Sequence, residues 1–80
     1  MIKMEGQIVS KPFDALNKAK DKKVIVELKN QKQLVGILKA FDPHINIVLE
    51  DAEERVDGEL TRKLGVVFIR GDTIILVSPQ

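Results

Sequence analysis

Lys23-Val24-Ile25-Val26-Glu27-Leu28, then Asn30-Gln31-Lys32-Gln33, then Leu34-Val35-Gly36-Ile37-Leu38-Lys39-Ala40-Phe41 is the stretch on which the fold turns. Its two apolar runs are rich in β-branched residues and flank a polar tetrapeptide, which predicts two strands joined by a hairpin turn. Working outward, Ile45-Asn46-Ile47-Val48-Leu49-Glu50-Asp51 predicts a third strand, and the acidic stretch from Glu53 to Glu59, with Asp57-Gly58 inside it, predicts a turn. Leu64–Arg70 and Thr73–Val77 predict two more strands, with Gly71-Asp72 between them. On the N-terminal side, Ser10 to Lys20 predicts a short helix, with Ser10 or Lys11 at its cap, Pro12 in the first turn and Asp14 near the positive end of the dipole. Phe13, Leu16 and Ala19 share one face of that helix, and so short a helix needs the end of a sheet to lie on. Gly36 and Gly65 fall inside strands, where glycine marks a bend. The expectation is a mostly β chain. A short N-terminal helix precedes a five-stranded, strongly bent antiparallel small barrel of SH3-like or OB-like kind. Residues 1–9 form an N-terminal extension and residues 10–80 the domain.

Eighty residues supply one core and not two. With 44% apolar and 31% charged residues, the composition is that of a globular chain and not of a disordered one. The absence of cysteine excludes a disulfide framework, a thiolate zinc site, an iron–sulfur cluster and a cysteine nucleophile. A single histidine, His44, excludes an all-histidine metal site within one chain, so neither a metal nor a cofactor is expected. No apolar run of about 18 residues occurs and the start has no signal-like apolar segment, from which we expect a cytoplasmic protein without a membrane span. The net charge is +1, yet residues 1–39 carry +5 and residues 40–80 carry −4, so any nucleic-acid contact must be local.

Val66-Val67-Phe68-Ile69 and Ile74-Ile75-Leu76-Val77 do not alternate, and strands apolar on both faces exceed what a monomer of this size can cover. Head-to-tail strand addition between identical subunits, closing into a ring, covers them most economically. The alternative is that the helix and the acidic loop lie over the outer faces.

Polar residues interrupt these apolar strands at Phe41-Asp42-Pro43-His44-Ile45-Asn46 and at Arg70-Gly71-Asp72. On a strand His44 and Asn46 point to one side, and Asp42 joins them if Pro43 does not break the alternation. Taken alone, the first segment is also ordinary turn chemistry and the second an ordinary hairpin. Catalysis is not expected. One histidine cannot serve as both acid and base, Ser10 and Ser78 are the only serines, and no second carboxylate stands at metal-ligand spacing from the Asp42–His44 pair.

Gly36-x4-Phe41-Asp42-x-His44-x-Asn46-x2-Leu49-x-Asp51 resembles the first motif of the Sm-like proteins of archaeal type, and Leu64-Gly65-x-Val67-Phe68-Ile69-Arg70-Gly71-Asp72 resembles the second. With Lys11-Pro12-Phe13-Asp14-Ala15-Leu16-Asn17 the similarity runs from about residue 10 to Pro79. The resemblance implies the Sm fold and a homo-oligomeric ring, a heptamer or less commonly a hexamer. It also implies binding of single-stranded uridine-rich RNA around the central pore, in RNA processing or turnover, as a scaffold or chaperone with RNA-processing partners. Carried over by position, His44 and Arg70 sandwich a uracil and Asn46 reads its Watson–Crick edge. Asp42 and Asp72 hold neighbouring polar groups, and Gly71 lets the backbone approach closely. The bacterial member Hfq has a Lys-His pair where this chain has Arg70-Gly71, which argues against that branch. Two departures from the pattern are Asn30-Gln31 in a turn that commonly holds glycine, and Thr73 where asparagine is usual. A protein-interaction ring without specific RNA binding is the rival reading.

Stacking of a single-stranded base on an imidazole or guanidinium plane is worth about 1–3 kcal/mol, and repetition around a ring raises the effective concentration. An amide such as Asn46 matches the N3–H donor and O4 acceptor of uracil, but when flipped it matches cytosine. Selectivity therefore requires a group that fixes the amide. Asp72 or Asp42 could do so, since an ionised carboxylate only accepts hydrogen bonds.

Overall fold

A computed structural model describes residues 12–80 of the chain. Helix α1 (Pro12–Ala19) precedes β1 (Lys23–Leu28), β2 (Lys32–Phe41), β3 (Ile47–Val56), β4 (Glu59–Ile69) and β5 (Ile74–Pro79). The candidate caps Ser10 and Lys11 lie outside the described residues. The strands form one antiparallel sheet in the order β4-β3-β2-β1-β5. Val24, Val26, Leu38, Ile47 and Leu49 project inward and are fully buried, and Ala19 of the helix joins the same core with Leu16 packed beside it. Each such side chain contributes about 1.5–3 kcal/mol through removal of apolar area from water.

The expected helix and five bent strands are present, with four local differences. The first concerns the β1–β2 turn, which is tighter than the tetrapeptide suggests. Gln31, not Asn30, takes the left-handed conformation (φ 69°), while Asn30 Oδ1 accepts the Lys32 N–H at 3.1 Å and returns the chain to the sheet.

The second concerns the acidic stretch, which is strand and not loop up to a two-residue turn at Asp57-Gly58. Ala52 and Glu54 continue the inward row of Ile47 and Leu49. A glutamate can occupy that row because its charge is fully engaged. Arg62 Nε lies 3.0 Å and Thr61 Oγ1 2.9 Å from Oε1, and Lys32 Nζ lies 3.7 Å from Oε2. The Arg62 and Thr61 hydrogen bonds hold the Glu54 carboxyl below the usual glutamate range.

The third is that β3 begins at Ile47 rather than Ile45, because residues 42–46 form a turn of their own. The fourth is that Gly71-Asp72 does not close a hairpin. A single 3-10 turn (Gly71–Thr73) carries the chain from β4 to β5, which are the two opposite edges of the sheet.

Both expected bends occur. A Cβ on Gly36 would lie 2.9 Å from the Glu50 carbonyl oxygen, beside a register shift between β2 and β3. Gly65 has φ 75° opposite Ala52, where the β3–β4 ladder shifts. Neither the helix nor an acidic loop covers the outer faces of the edge strands among the described residues. Phe68 is 81%, Ile75 62% and Val66 57% exposed.

Candidate functional site

The segment between β2 and β3 is a turn wrapped around a carboxylate. Ile45 N–H donates to the Asp42 carbonyl oxygen at 2.9 Å, and Asp42 N–H donates to the Asn46 carbonyl oxygen at 3.1 Å. Pro43, with its preset φ and missing N–H, suits the second position of such a turn. Asp42 then turns its side chain back into the loop. Its Oδ1 accepts the backbone N–H of His44 at 2.9 Å and of Asn46 at 3.1 Å, and its Oδ2 accepts Asn46 Nδ2–H at 3.1 Å. The Asn46 side-chain bond, the two backbone N–H groups and His44 nearby hold the Asp42 carboxyl below the usual aspartate range.

From just beyond the end of the neighbouring strand β4, whose Ile69 pairs with Ile47, the backbone N–H of Gly71 donates to Asn46 Oδ1 at 2.7 Å. The amide is thus held between a group that can only accept and a group that can only donate. Its NH2 faces Asp42 and its oxygen faces Gly71. One N–H and one oxygen lone pair have no partner among the described residues. No side chain fits at Gly71, where a Cβ would collide with the His44 carbonyl oxygen and lie 2.9 Å from the Ile45 carbonyl carbon.

Arg70 and Asp72 form a separate unit. Arg70 Nη2 donates to Asp72 Oδ2 at 2.8 Å on the surface, and Thr73 caps the turn by donating Oγ1–H to the Arg70 carbonyl oxygen at 2.7 Å. Thr73, one of the two departures from the motif, therefore fills a structural place. An open cavity of about 360 Å³ lies against Asp42, Asn46 and Arg70, with Phe41 and Phe68 among its apolar walls.

Of the six residues singled out in the sequence, Asp42, Asn46 and Gly71 form one hydrogen-bonded unit, and Arg70 with Asp72 borders it. The orienting carboxylate is Asp42. Asp72 is engaged by Arg70 instead, because the 3-10 turn places the two side by side. His44 shares the loop through its backbone, and its imidazole is without a hydrogen-bond or ion-pair partner among the described residues. His44 and Asn46 owe their proximity to the turn and not to strand alternation. A strand reading also passes over Ile45, which adopts φ 62°. Its signal lies in the turn chemistry, since a proline turn that returns to a strand through one left-handed residue ordinarily uses glycine or asparagine there.

The described residues hold no cluster of three or more metal-ligating side chains, and no helix among them is long and apolar enough to cross a membrane. The LSM domain family matches residues 14–79. An Sm-like protein of Methanococcoides burtonii is 49% identical over 70 residues, covering 88% of this chain and 97% of its own. The structure of an Sm protein of Pyrococcus abyssi in complex with a uridine heptamer superposes with a TM-score of 0.86 at 39% identity, over 89% of this chain and 100% of that one. The SmAP1 heptamer of P. aerophilum superposes with a TM-score of 0.83 at 36% identity, over 91% and 97% of the two chains. Helix and sheet thus agree with these relatives, and the chain belongs to the LSM domain family of Sm-like proteins.

Proposed function

We propose that this chain assembles into a homo-oligomeric ring, a heptamer, and binds single-stranded uridine-rich RNA at the pore, in RNA processing or turnover and without catalysis of its own. The observation that carries the reading is the doubly held Asn46 amide, since Asp42 and the Gly71 N–H leave it one free donor and one free acceptor. That pair complements O4 and N3–H of uracil. Cytosine needs the flipped amide, which sets oxygen against carboxylate and NH2 against N–H. The loss of both bonds corresponds to a preference of roughly 30-fold per site.

His44 and Arg70 are the stacking planes on either side of the base in this reading, with Asp72 keeping the guanidinium in place. The exposed Phe68 and Ile75 on opposite edge strands support assembly by addition of β4 of one copy to β5 of the next. The heptamer of P. aerophilum and the uridine complex of P. abyssi support ring and ligand. Residues 10–80 constitute the assembling domain and residues 1–9 an extension, in a protein of the cytoplasm.

Native mass spectrometry of the protein alone and with short oligo(U), oligo(C) and oligo(A) tests the proposal. We expect seven copies, and RNA bound in the order oligo(U) first. A monodisperse monomer at micromolar concentration contradicts the ring. Equal retention of all three oligonucleotides contradicts the base reading and favours the protein-interaction scaffold.

A further inference from the structure

We infer that Ile45 is a positioning residue for the base-reading amide, its side chain anchoring the loop in the left-handed conformation that brings Asn46 and Gly71 together. The inference rests on the uracil reading above for its consequence, though not for its geometry. A β-branched residue at φ 62° is in a sparsely populated state, and such states persist only where the surroundings over-determine them. The surroundings here are apolar and come from distant parts of the chain. The half-buried Ile45 side chain packs against the core and borders an apolar cavity of about 260 Å³ together with Leu16 of α1 and Val77 and Pro79 of β5. Burial on that floor offsets the unfavourable backbone.

The backbone so fixed is the surface on which Gly71 rests. A Cβ at Gly71 would collide first with the His44 carbonyl oxygen and would stand 2.9 Å from the Ile45 carbonyl carbon and 3.0 Å from its oxygen, so the two peptide groups flanking the Ile45 Cα together determine how near Gly71 can come. The approach of Gly71 in turn makes the 2.7 Å bond to Asn46 Oδ1. The helix braces the other end of the loop as well, with Phe13 edge-on to Phe41 at 5.0 Å between ring centroids. Were Ile45 only a core residue, its removal would lower stability and leave the amide's hydrogen bonds and base preference untouched.

Two variants separate these possibilities. Ile45→Gly adopts positive φ readily and removes the anchor, while Ile45→Leu keeps an apolar anchor of the same volume. The first readout needs no RNA and is amide hydrogen exchange at Gly71, referred to Leu49 in the core of the same protein. We expect exchange at Gly71 to rise about tenfold or more in Ile45→Gly, the equivalent of one lost hydrogen bond, and to change less than about threefold in Ile45→Leu. The second readout is the ratio of oligo(U) to oligo(C) affinity, expected to fall about tenfold in Ile45→Gly and to recover in Ile45→Leu. Where Ile45→Gly does not fold, Ile45→Asn, equally at ease at positive φ, replaces it. Wild-type exchange at Gly71 in the anchorless variant overturns the inference. A wild-type protein without any preference for oligo(U) overturns the base reading instead, and the exchange measurement then still decides whether Ile45 anchors the loop.

Discussion

At the scale of single residues the molecule solves an orientation problem for an amide, whose oxygen and NH2 have nearly the same shape. Asp42 and the Gly71 N–H resolve it from two sides. Asp42→Asn keeps an oxygen on the His44 and Asn46 backbone N–H groups and sets an NH2 where Oδ2 stood, so residue 42 no longer holds the amide's NH2 and only Gly71 still favours the wild-type sense. The ratio of oligo(U) to oligo(C) affinity, measured by fluorescence anisotropy, should fall about fivefold to tenfold while assembly persists. Gly71→Ala should be more severe. Its methyl group meets the His44 carbonyl oxygen, so the 3-10 turn must retreat, and oligo(U) affinity should drop about 100-fold with helix and sheet content unchanged by circular dichroism. Asp42 and Asn46 were legible in the sequence as polar residues that interrupt apolar strands, whereas the close approach of Gly71 was implied only by the family resemblance. The division of labour between Asp42 and Asp72 was not legible. Both are aspartates two to four residues from a polar partner, and only the turn geometry decides which carboxylate meets Asn46 and which meets Arg70.

At the scale of elements, β1 is read from the sequence to its last residue, since the run is β-branched and its alternation puts Val24 and Val26 in the core. β3 and β4 are not, because Glu54 disguises an inward position as a loop residue until Arg62, Thr61 and Lys32 are seen to surround it. No local pattern announces a charge that will be engaged from the neighbouring strand and from β2. The same limit applies to Gly71-Asp72, whose composition is that of a hairpin although the strands it links lie at opposite edges. Among the described residues nothing covers the outer faces of the two apolar runs in β4 and β5, and they make an element-level prediction. Ile75→Glu sets a carboxylate on the outer face of β5, and in a ring joined there it would be buried without a partner. Sedimentation or light scattering should show monomers or short oligomers in place of rings, whereas the fold of each subunit survives because Ile75 is outside its core. Full rings of this variant would move the interface elsewhere.

At the scale of the whole molecule, two carboxylates, Asp21 and Glu54, join different elements and a third, Asp42, ties its own turn, and all three are held below their ordinary values. Asp21 is lowered by its hydrogen bond and charge pair with Lys39, Asp42 by Asn46, and Glu54 by Arg62 and Thr61. A lowered carboxyl contributes stability above its unfolded value, here 3.8 for aspartate and 4.5 for glutamate, and loses it as pH falls through the folded value. The Lys39 ammonium is raised, so its contribution is present below 10.5 and is lost as pH rises through the folded value above it. Thermal unfolding followed by circular dichroism should therefore be nearly constant between about pH 5 and pH 9 and decline outside that range. A midpoint that rises on acidification to pH 3 would contradict the sign for all three acids. Finally, the sheet has two unlike ends, β4 and β5, and an assembly built by joining them has polarity. Any open chain of subunits, whatever its length, leaves one β4 and one β5 unsatisfied, and closure alone removes both. A subunit damaged at β5 keeps a sound β4 and can still be added, after which nothing can follow it. Ile75→Glu chains mixed with wild type from the denatured state should accordingly act as chain terminators, depleting closed rings far beyond their own mole fraction, as one blocked monomer ends a polymer.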